Sequence, residues 1–184
     1  MTQEKNVRLQ SAELDRCIFG IANGDSDALS KLYTMVSAPV YAYALTVLRN
    51  TYDADDVLHD TIVKVYENAP VYRSQGKPMA WILTIAKNLC FTRFRQNAHF
   101  ADVSDEALEQ QFADNTQMSV EDKLLVTKCL SVLPQEERSI VVLHAVSGLK
   151  HREIAKLLNI PLSTVLSKYN RSLKKLQEII LEED

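Results

Sequence analysis

The residues best suited to bind a ligand lie in a cationic stretch near the end of the chain, residues 161–175, which reads PLSTVLSKYNRSLKK. Val165, Tyr169 and Leu173 recur at four-residue steps, so they share one face of a predicted helix. The polar residues lie elsewhere on this helix, where Arg, Lys and Asn can contact base edges or phosphates. The candidate DNA-contacting residues are Ser163, Thr164, Leu166, Ser167, Lys168, Asn170, Arg171, Lys174 and Lys175.

Two shorter helices are predicted just before this stretch. Pro134 and the acidic residues that follow it are typical of a helix start, and Gly148 is suited to end that helix. Asn159 can adopt the left-handed conformation that ends the next helix, and Pro161 then opens the last one. Ala155 is small enough to let the two helices approach closely. The spacing predicts a helix–turn–helix that places its last helix in the major groove of DNA.

A second basic block, residues 62–97, lies upstream and overlaps two predicted helices. The segments DADDVLHDTIVKVY (53–66) and AWILTIAKNLCFTRFRQ (80–96) both have apolar residues at helical spacing. Residues 70–78 contain Gly76 and two prolines, so we expect a loop between two helices. Together with an apolar stripe at residues 29–48, these segments predict a small helical bundle.

Composition and charge separate the chain into parts. The 184 residues are 46% hydrophobic and 7% aromatic, which is typical of a helix-rich protein. The net charge of −3 conceals basic blocks at 62–97 and 142–176 with an acidic segment between them. We therefore predict an N-terminal segment (1–24), a first domain (25–97), an acidic linker (98–123) and a second domain (124–184).

Several classes of protein are disfavoured by the sequence. No apolar run is long enough to span a membrane, and the N-terminus does not resemble a secretory signal. The three cysteines lie far apart and predict neither disulfides nor a zinc site, so we expect a cytoplasmic protein. The four histidines lack metal-ligand spacing, and no phosphate-binding loop or nucleophile motif is present. We expect no catalytic residue, no metal and no cofactor.

The order of the two blocks resembles the sigma-70 family of bacterial transcription initiation factors. Residues 53–66 and 80–96 resemble its region 2, and the helix–turn–helix resembles its region 4. The short linker and the lack of other domains are similar to the extracytoplasmic function (ECF) subgroup. The resemblance implies an all-α fold with two small helical domains joined by an acidic linker. It also implies a dissociable factor that binds core RNA polymerase and directs promoter recognition, DNA opening and transcription initiation.

The resemblance assigns roles to both blocks. In the family, the first segment docks on a coiled coil of the polymerase, and the corresponding residues are Asp55, Asp56, Val57, His59, Asp60, Thr61, Val63 and Lys64. A helix cannot bury every face and also bind a partner, so we expect one of Val57 and Val63 to be a core residue.

The loop and the following helix would hold the unpaired −10 strand through Tyr72, Lys77, Trp81, Lys87, Asn88, Arg93 and Arg95. Trp81 could stack on a base or pack in the core to position the loop. Residues 161–175 would read the duplex −35 element.

Two departures from the family pattern affect promoter choice. Family members often have aromatic residues where this chain has Pro78, Met79 and Ala80. In the helix–turn–helix, Leu166 replaces a basic residue and Lys150 replaces a Ser or Thr. The resemblance further implies regulation by an anti-sigma factor. The alternative is a LuxR-type helix–turn–helix regulator that binds duplex DNA without polymerase.

Overall fold

The structure is a computed structural model that describes residues 2–97 and 131–182. Its helices are α1 (Thr2–Ala22), α2 (Ser26–Leu48), α3 (Thr51–Asn68), α4 (Pro78–Asn97), α5 (Gln135–Ala145), α6 (His151–Leu158) and α7 (Leu162–Glu182). A short 3₁₀ turn, Ala69–Val71, follows α3. The predicted linker, residues 98–123, lies outside the described residues, as do residues 124–130 at the start of the predicted second domain and with them Cys129.

Helices α1 to α4 form the N-terminal bundle, and side-chain caps define two of its helix starts. The Asp25 carboxylate accepts hydrogen bonds from the backbone N–H groups of Asp27 and Ala28, at 2.9 and 3.2 Å, ahead of α2. The Asn50 side chain accepts one from Asp53 at 3.0 Å ahead of α3. These caps satisfy backbone donors that the first helical turn leaves without partners. The loop predicted between two helices lies between the 3₁₀ turn and α4.

Helix α1 belongs to this bundle, although the sequence predicted residues 1–24 to be a separate segment. Leu14, Cys17, Ile18 and Ile21 are all buried in the core. At Gly20 an added Cβ would lie 2.8 Å from the Cβ of Ala28, so glycine permits the close approach of α1 and α2. The boundary at residue 24 therefore falls inside a continuously packed unit.

Helices α5 to α7 form the predicted helix–turn–helix. Gly148 has φ of 68°, and the N–H of Leu149 bonds back to the carbonyl of Leu143 at 3.1 Å, which closes the end of α5. Asn159 has φ of 58° and ends α6 in the left-handed conformation. Both predictions about helix ends are confirmed, since each rested on the local backbone chemistry of one residue.

The two modules share one apolar core. Helix α5 packs on α2, and α6 packs on α4. Val36 and Leu45 of α2 belong to the same buried cluster as Ile140 and Leu143 of α5. The Gln135 side chain donates to the carbonyl of Val47 across this junction at 3.3 Å. The all-α fold with two helical units is confirmed, and in this conformation the units are in contact.

No helix in residues 2–97 or 131–182 combines the length and apolar character that a membrane span requires.

Candidate nucleic-acid interface

Helix α7 presents all nine candidate DNA-contacting residues outside the core. Its buried side is formed by Val165 and Ser172, with Tyr169 half-buried between them. Leu173 was expected on this apolar face but is 38% exposed, and Ser172 takes the fully buried position. The Ser172 hydroxyl satisfies its hydrogen-bonding need by donating to the carbonyl of Lys168 at 2.9 Å. The nine candidate residues therefore lie on the outer faces of the helix.

Two cations of α7 are tied to the first turn of α5. Lys168 contacts Glu136, and Arg171 contacts Glu137 at 2.7 Å. The Glu137 side chain is only 5% exposed, so its charge requires the guanidinium as a partner. The sequence explained these glutamates only as helix-start residues. Their second role is to hold α7 against α5.

His144 of α5, His151 of α6 and Tyr169 of α7 form an aromatic cluster where the three helices meet. The two imidazoles stack with centroids 4.4 Å apart, and Tyr169 meets both edge-on. The Nδ1 atom of His144 lies 2.9 Å from the carbonyl of Leu149, which fixes the proton on that nitrogen. Burial, with a smaller contribution from His144, lowers the pKa of His151. The environment of His151 therefore favours its neutral imidazole.

At the start of α6, Lys150 stands where a Ser or Thr was expected. A lysine side chain cannot accept a hydrogen bond, so the usual side-chain cap is replaced. Glu153 reaches back and accepts the backbone N–H of Lys150 at 2.9 Å, which is one half of a capping box. Glu153 thus contributes to the helix start from within the helix.

Helix α3 carries an exposed face that is acidic and apolar together. Asp55, Asp56, His59, Asp60, Val63 and Lys64 are exposed. Val57 and Thr61 are fully buried, and the Thr61 hydroxyl donates to the carbonyl of Val57 at 2.6 Å. These two predicted docking residues are therefore core residues in this structure. Val63 is 52% exposed, which answers the choice left open between Val57 and Val63.

Arg93 was predicted to contact DNA, but here it joins α4 to α3. Its guanidinium lies 2.9 Å from Asp56 and 3.5 Å from both Asp53 and Asp60. One arginine thus neutralises part of the acidic face of α3. In this structure Arg93 positions the candidate docking helix.

The loop before α4 is anchored to α1 by Asp15. One oxygen of its carboxylate accepts from the Tyr72 hydroxyl at 2.7 Å, and the other accepts from Ser74 at 2.8 Å. Tyr72 is only 6% exposed, and its ring centroid lies 4.5 Å from that of the half-buried Trp81. Tyr72 is therefore a core residue here, and Trp81 packs on it. No local pattern predicts this role of Asp15, because its partners lie far along the chain.

Two predicted −10 cations contact the helix–turn–helix. Lys77 lies 3.2 Å from the carboxylate of Glu153, and Lys87 donates to the carbonyl of Leu157 at 2.5 Å. The latter oxygen lies at the C-terminus of α6, where the helix dipole is negative. Helix α6 thus offers both lysines the kind of oxygen acceptor that a DNA phosphate would. An open cleft of about 890 Å³ is lined by residues of both modules, including Lys77, Glu153 and part of α1.

Two aromatic residues that the sequence reasoning missed are exposed on α4. Phe91 and Phe94 are 56% and 54% exposed. The signal that could have found Phe91 is its position three residues after Asn88 and four before Arg95, which places all three on one helix face.

The fold and these surfaces define an all-α protein with a helix–turn–helix module and a second helical module. Family models match both parts: Sigma-70 region 2 over residues 32–100 and Sigma-70, region 4 over residues 123–176. The chain belongs to the sigma-70 family, and its relatives place it in the ECF subgroup.

Among curated relatives, the ECF RNA polymerase sigma factor SigK of Mycobacterium tuberculosis (strain ATCC 25618 / H37Rv) is 25% identical over 178 residues, covering 92% of this chain and 95% of the relative. The ECF sigma factor SigW of Bacillus subtilis (strain 168) is 23% identical over 171 residues, covering 86% and 91%.

Two solved structures share the fold. CnrH in complex with the cytosolic domain of CnrY has a TM-score of 0.62 at 20% identity and covers 94% of this chain and 99% of its own. The sigma factor RpoE in complex with the anti-sigma factor NepR from Bartonella quintana has a TM-score of 0.66 at 22% identity and covers 82% and 95%. The LuxR-type alternative is not supported, because the match to region 2 accounts for the first domain.

Proposed function

We propose that the ECF sigma factor activity of this chain is divided among three surfaces. The exposed residues of α3 dock on core polymerase, the loop and α4 hold the unpaired −10 strand, and the outer faces of α7 read the −35 duplex. The observation that carries this proposal is that two basic surfaces lie on two different helical modules, while α3 of the first module exposes a separate face that is acidic and apolar.

The proposed docking surface on α3 combines exposed apolar area with carboxylates that α4 partly neutralises. Val63 provides apolar area on the same exposed face as Asp56 and Asp60. Arg93 reduces the mutual repulsion of the aspartates without covering them, because Asp56 remains 60% and Asp60 52% exposed. A face that combines exposed apolar area with carboxylates suits a partner surface that carries both apolar and basic groups.

The contacts of Lys77 and Lys87 indicate that this structure is a closed form. Each ammonium group gives one of its N–H donors to α6 in this geometry, and the carboxylate of Glu153 partly neutralises Lys77, so a phosphate would compete with α6 for both lysines. We infer that the modules separate when the factor engages polymerase and promoter together. An inhibitory protein that binds both modules would favour the closed form, and the complex of the sigma factor RpoE with the anti-sigma factor NepR makes such a partner reasonable here.

Reconstituted transcription tests the proposal. The purified chain would be added to core polymerase with a library of promoter fragments, and the 5′ ends of the RNA would be mapped. Specific start sites that appear only with the chain are expected. If the chain binds duplex DNA tightly alone but never directs polymerase to a start site, the proposal fails.

A paired set of variants separates the docking surface from the DNA surfaces. Val63→Ser should weaken the affinity for core polymerase and leave folding intact, because Val63 is half exposed. Lys174→Ala should leave polymerase affinity unchanged and weaken duplex binding with a smaller salt dependence, since one phosphate contact is lost. If both variants impair the same step, the proposed division of surfaces is wrong.

A further inference from the structure

The C-terminal half of α4 exposes an aromatic ring that the core does not require. More than half of the Phe91 side chain is exposed, and it does not belong to the buried cluster that joins the helices. Leaving a large ring in water forfeits the favourable free energy that burial would give. Single exposed apolar residues are common on protein surfaces, so exposure alone assigns no role.

The neighbours of Phe91 supply the second observation. Asn88, Phe91 and Arg95 follow each other at three- and four-residue steps and form one stripe about 10 Å long on α4. All three side chains are exposed. Arg95 has no ion pair with any residue of the described ranges, whereas Arg93, on the opposite side of the helix, is held by α3. The stripe therefore combines an amide, a ring and a guanidinium that all face solvent.

This combination suits single-stranded DNA better than a protein surface. The ring offers a flat apolar face to any base, the guanidinium attracts a phosphate, and the amide can donate to or accept from a base edge. The surrounding segment, residues 62–97, is net positive, so the local field also favours a polyanion. The exposed carboxylates of α3, which could attract a basic protein, lie on the side of α4 that Arg93 faces.

We propose that Phe91 stacks on an unpaired promoter base, with Arg95 on the adjacent phosphate and Asn88 at the base edge. The inference rests on the proposed function and deepens it, because it extends the surface for the opened strand along α4. Phe91 is then a DNA-binding residue, in contrast to Tyr72, whose ring lies in the core.

The test uses the reconstituted holoenzyme on a promoter fragment whose non-template −10 strand is left unpaired and carries 2-aminopurine at one position at a time. Stacking of a base on Phe91 changes the fluorescence of the analogue at that position. Phe91→Leu keeps an apolar side chain but removes the ring, and Phe91→Trp keeps a ring. We expect Phe91→Leu to weaken binding of the unpaired fragment about 5- to 150-fold and Phe91→Trp to retain it.

Phe94→Leu is the matched control, because Phe94 lies on the same helix with nearly the same exposure but projects roughly 100–120° around the helix from Asn88 and Arg95. It should leave both binding and fluorescence unchanged. Equal losses for the two leucine variants, or none for Phe91→Leu, would overturn the proposal. A parallel loss of core-polymerase affinity in Phe91→Leu would also overturn it, since that result assigns the ring to protein docking. Failure of the wild-type chain to form a holoenzyme would instead contradict the proposed function.

Discussion

The two modules differ in which residues pair with their candidate DNA-binding cations. In the helix–turn–helix, Lys168 and Arg171 are paired within the module by glutamates of α5. In the N-terminal bundle, Lys77 and Lys87 are paired across the module junction by α6. Lys168 and Arg171 can be released without any movement of the modules, whereas separation of the modules would release Lys77 and Lys87 together. We infer that domain separation frees these two lysines of the −10 surface and that the −35 surface does not depend on it.

The largest expected effect tests whether the modules unfold as one unit. Leu143 is fully buried in the cluster shared by α2 and α5. Leu143→Ala should lower the free energy of unfolding by about 2–5 kcal/mol, because it leaves a cavity in that core. Chemical denaturation followed by the fluorescence of Trp81 in the first module and by far-UV circular dichroism should shift together. A shift of the circular dichroism transition alone would mean that the modules unfold independently and that the shared core does not couple them.

The extent to which the sequence predicted this arrangement depends on how local each determinant is. Gly148 and Asn159 marked helix ends correctly, because a left-handed backbone conformation depends on the residue that adopts it. The burial of Thr61 and Tyr72 was missed, because a polar side chain in the core is explained only by its partners. The contacts of Lys77 and Lys87 depend on how two modules meet, and no spacing within either module encodes that placement.

A second prediction addresses the buried carboxylate that holds α7. Arg171→Ala removes the partner of Glu137 and should destabilise the helix–turn–helix by about 1–3 kcal/mol, since a buried acceptor loses its strongest donor. The same change should weaken duplex binding and reduce its salt dependence. Thermal unfolding and binding titrations at several salt concentrations measure the two effects.

Adding Glu137→Gln to Arg171→Ala separates these roles. The neutral amide costs less to bury, so the double variant should recover most of the stability but none of the DNA affinity. Recovery of both properties would show that Arg171 acts only on the fold.

A third prediction concerns the contacts across the junction. Lys77→Glu places a carboxylate beside Glu153, so the closed form should lose about 0.2–1 kcal/mol or somewhat more through repulsion. Single-molecule energy transfer between dyes on the two modules should report a larger open population. Adding Glu153→Lys in the same chain restores the attraction and should return the distribution toward the closed form relative to Glu153→Lys alone, which loses the same helix cap.

The matched control is Lys64→Glu, which breaks an ion pair with Glu67 inside α3, where both side chains are about half exposed. It should leave the distance between the modules unchanged. An equal opening in this control would show that net charge, and not the contact between Lys77 and Glu153, sets the separation.

The smallest effect is expected from pH and is confined to the helix–turn–helix. Burial lowers the pKa of His151 below the ordinary value of 6.5, so between the two pKa values the unfolded chain binds more protons than the folded one. The stability contribution is therefore present above about pH 6.5 and is lost as the pH falls through the folded-state pKa. Thermal unfolding should show a lower midpoint at pH 5.5 than at pH 7.5, and His151→Phe, which keeps a ring beside His144 and Tyr169, should reduce this difference. The histidines contact α7 and do not contact Lys77 or Lys87 at the junction, so the population of the open form should not follow the same pH curve. If the open population does follow that curve, protonation within the helix–turn–helix also controls the contact between the modules.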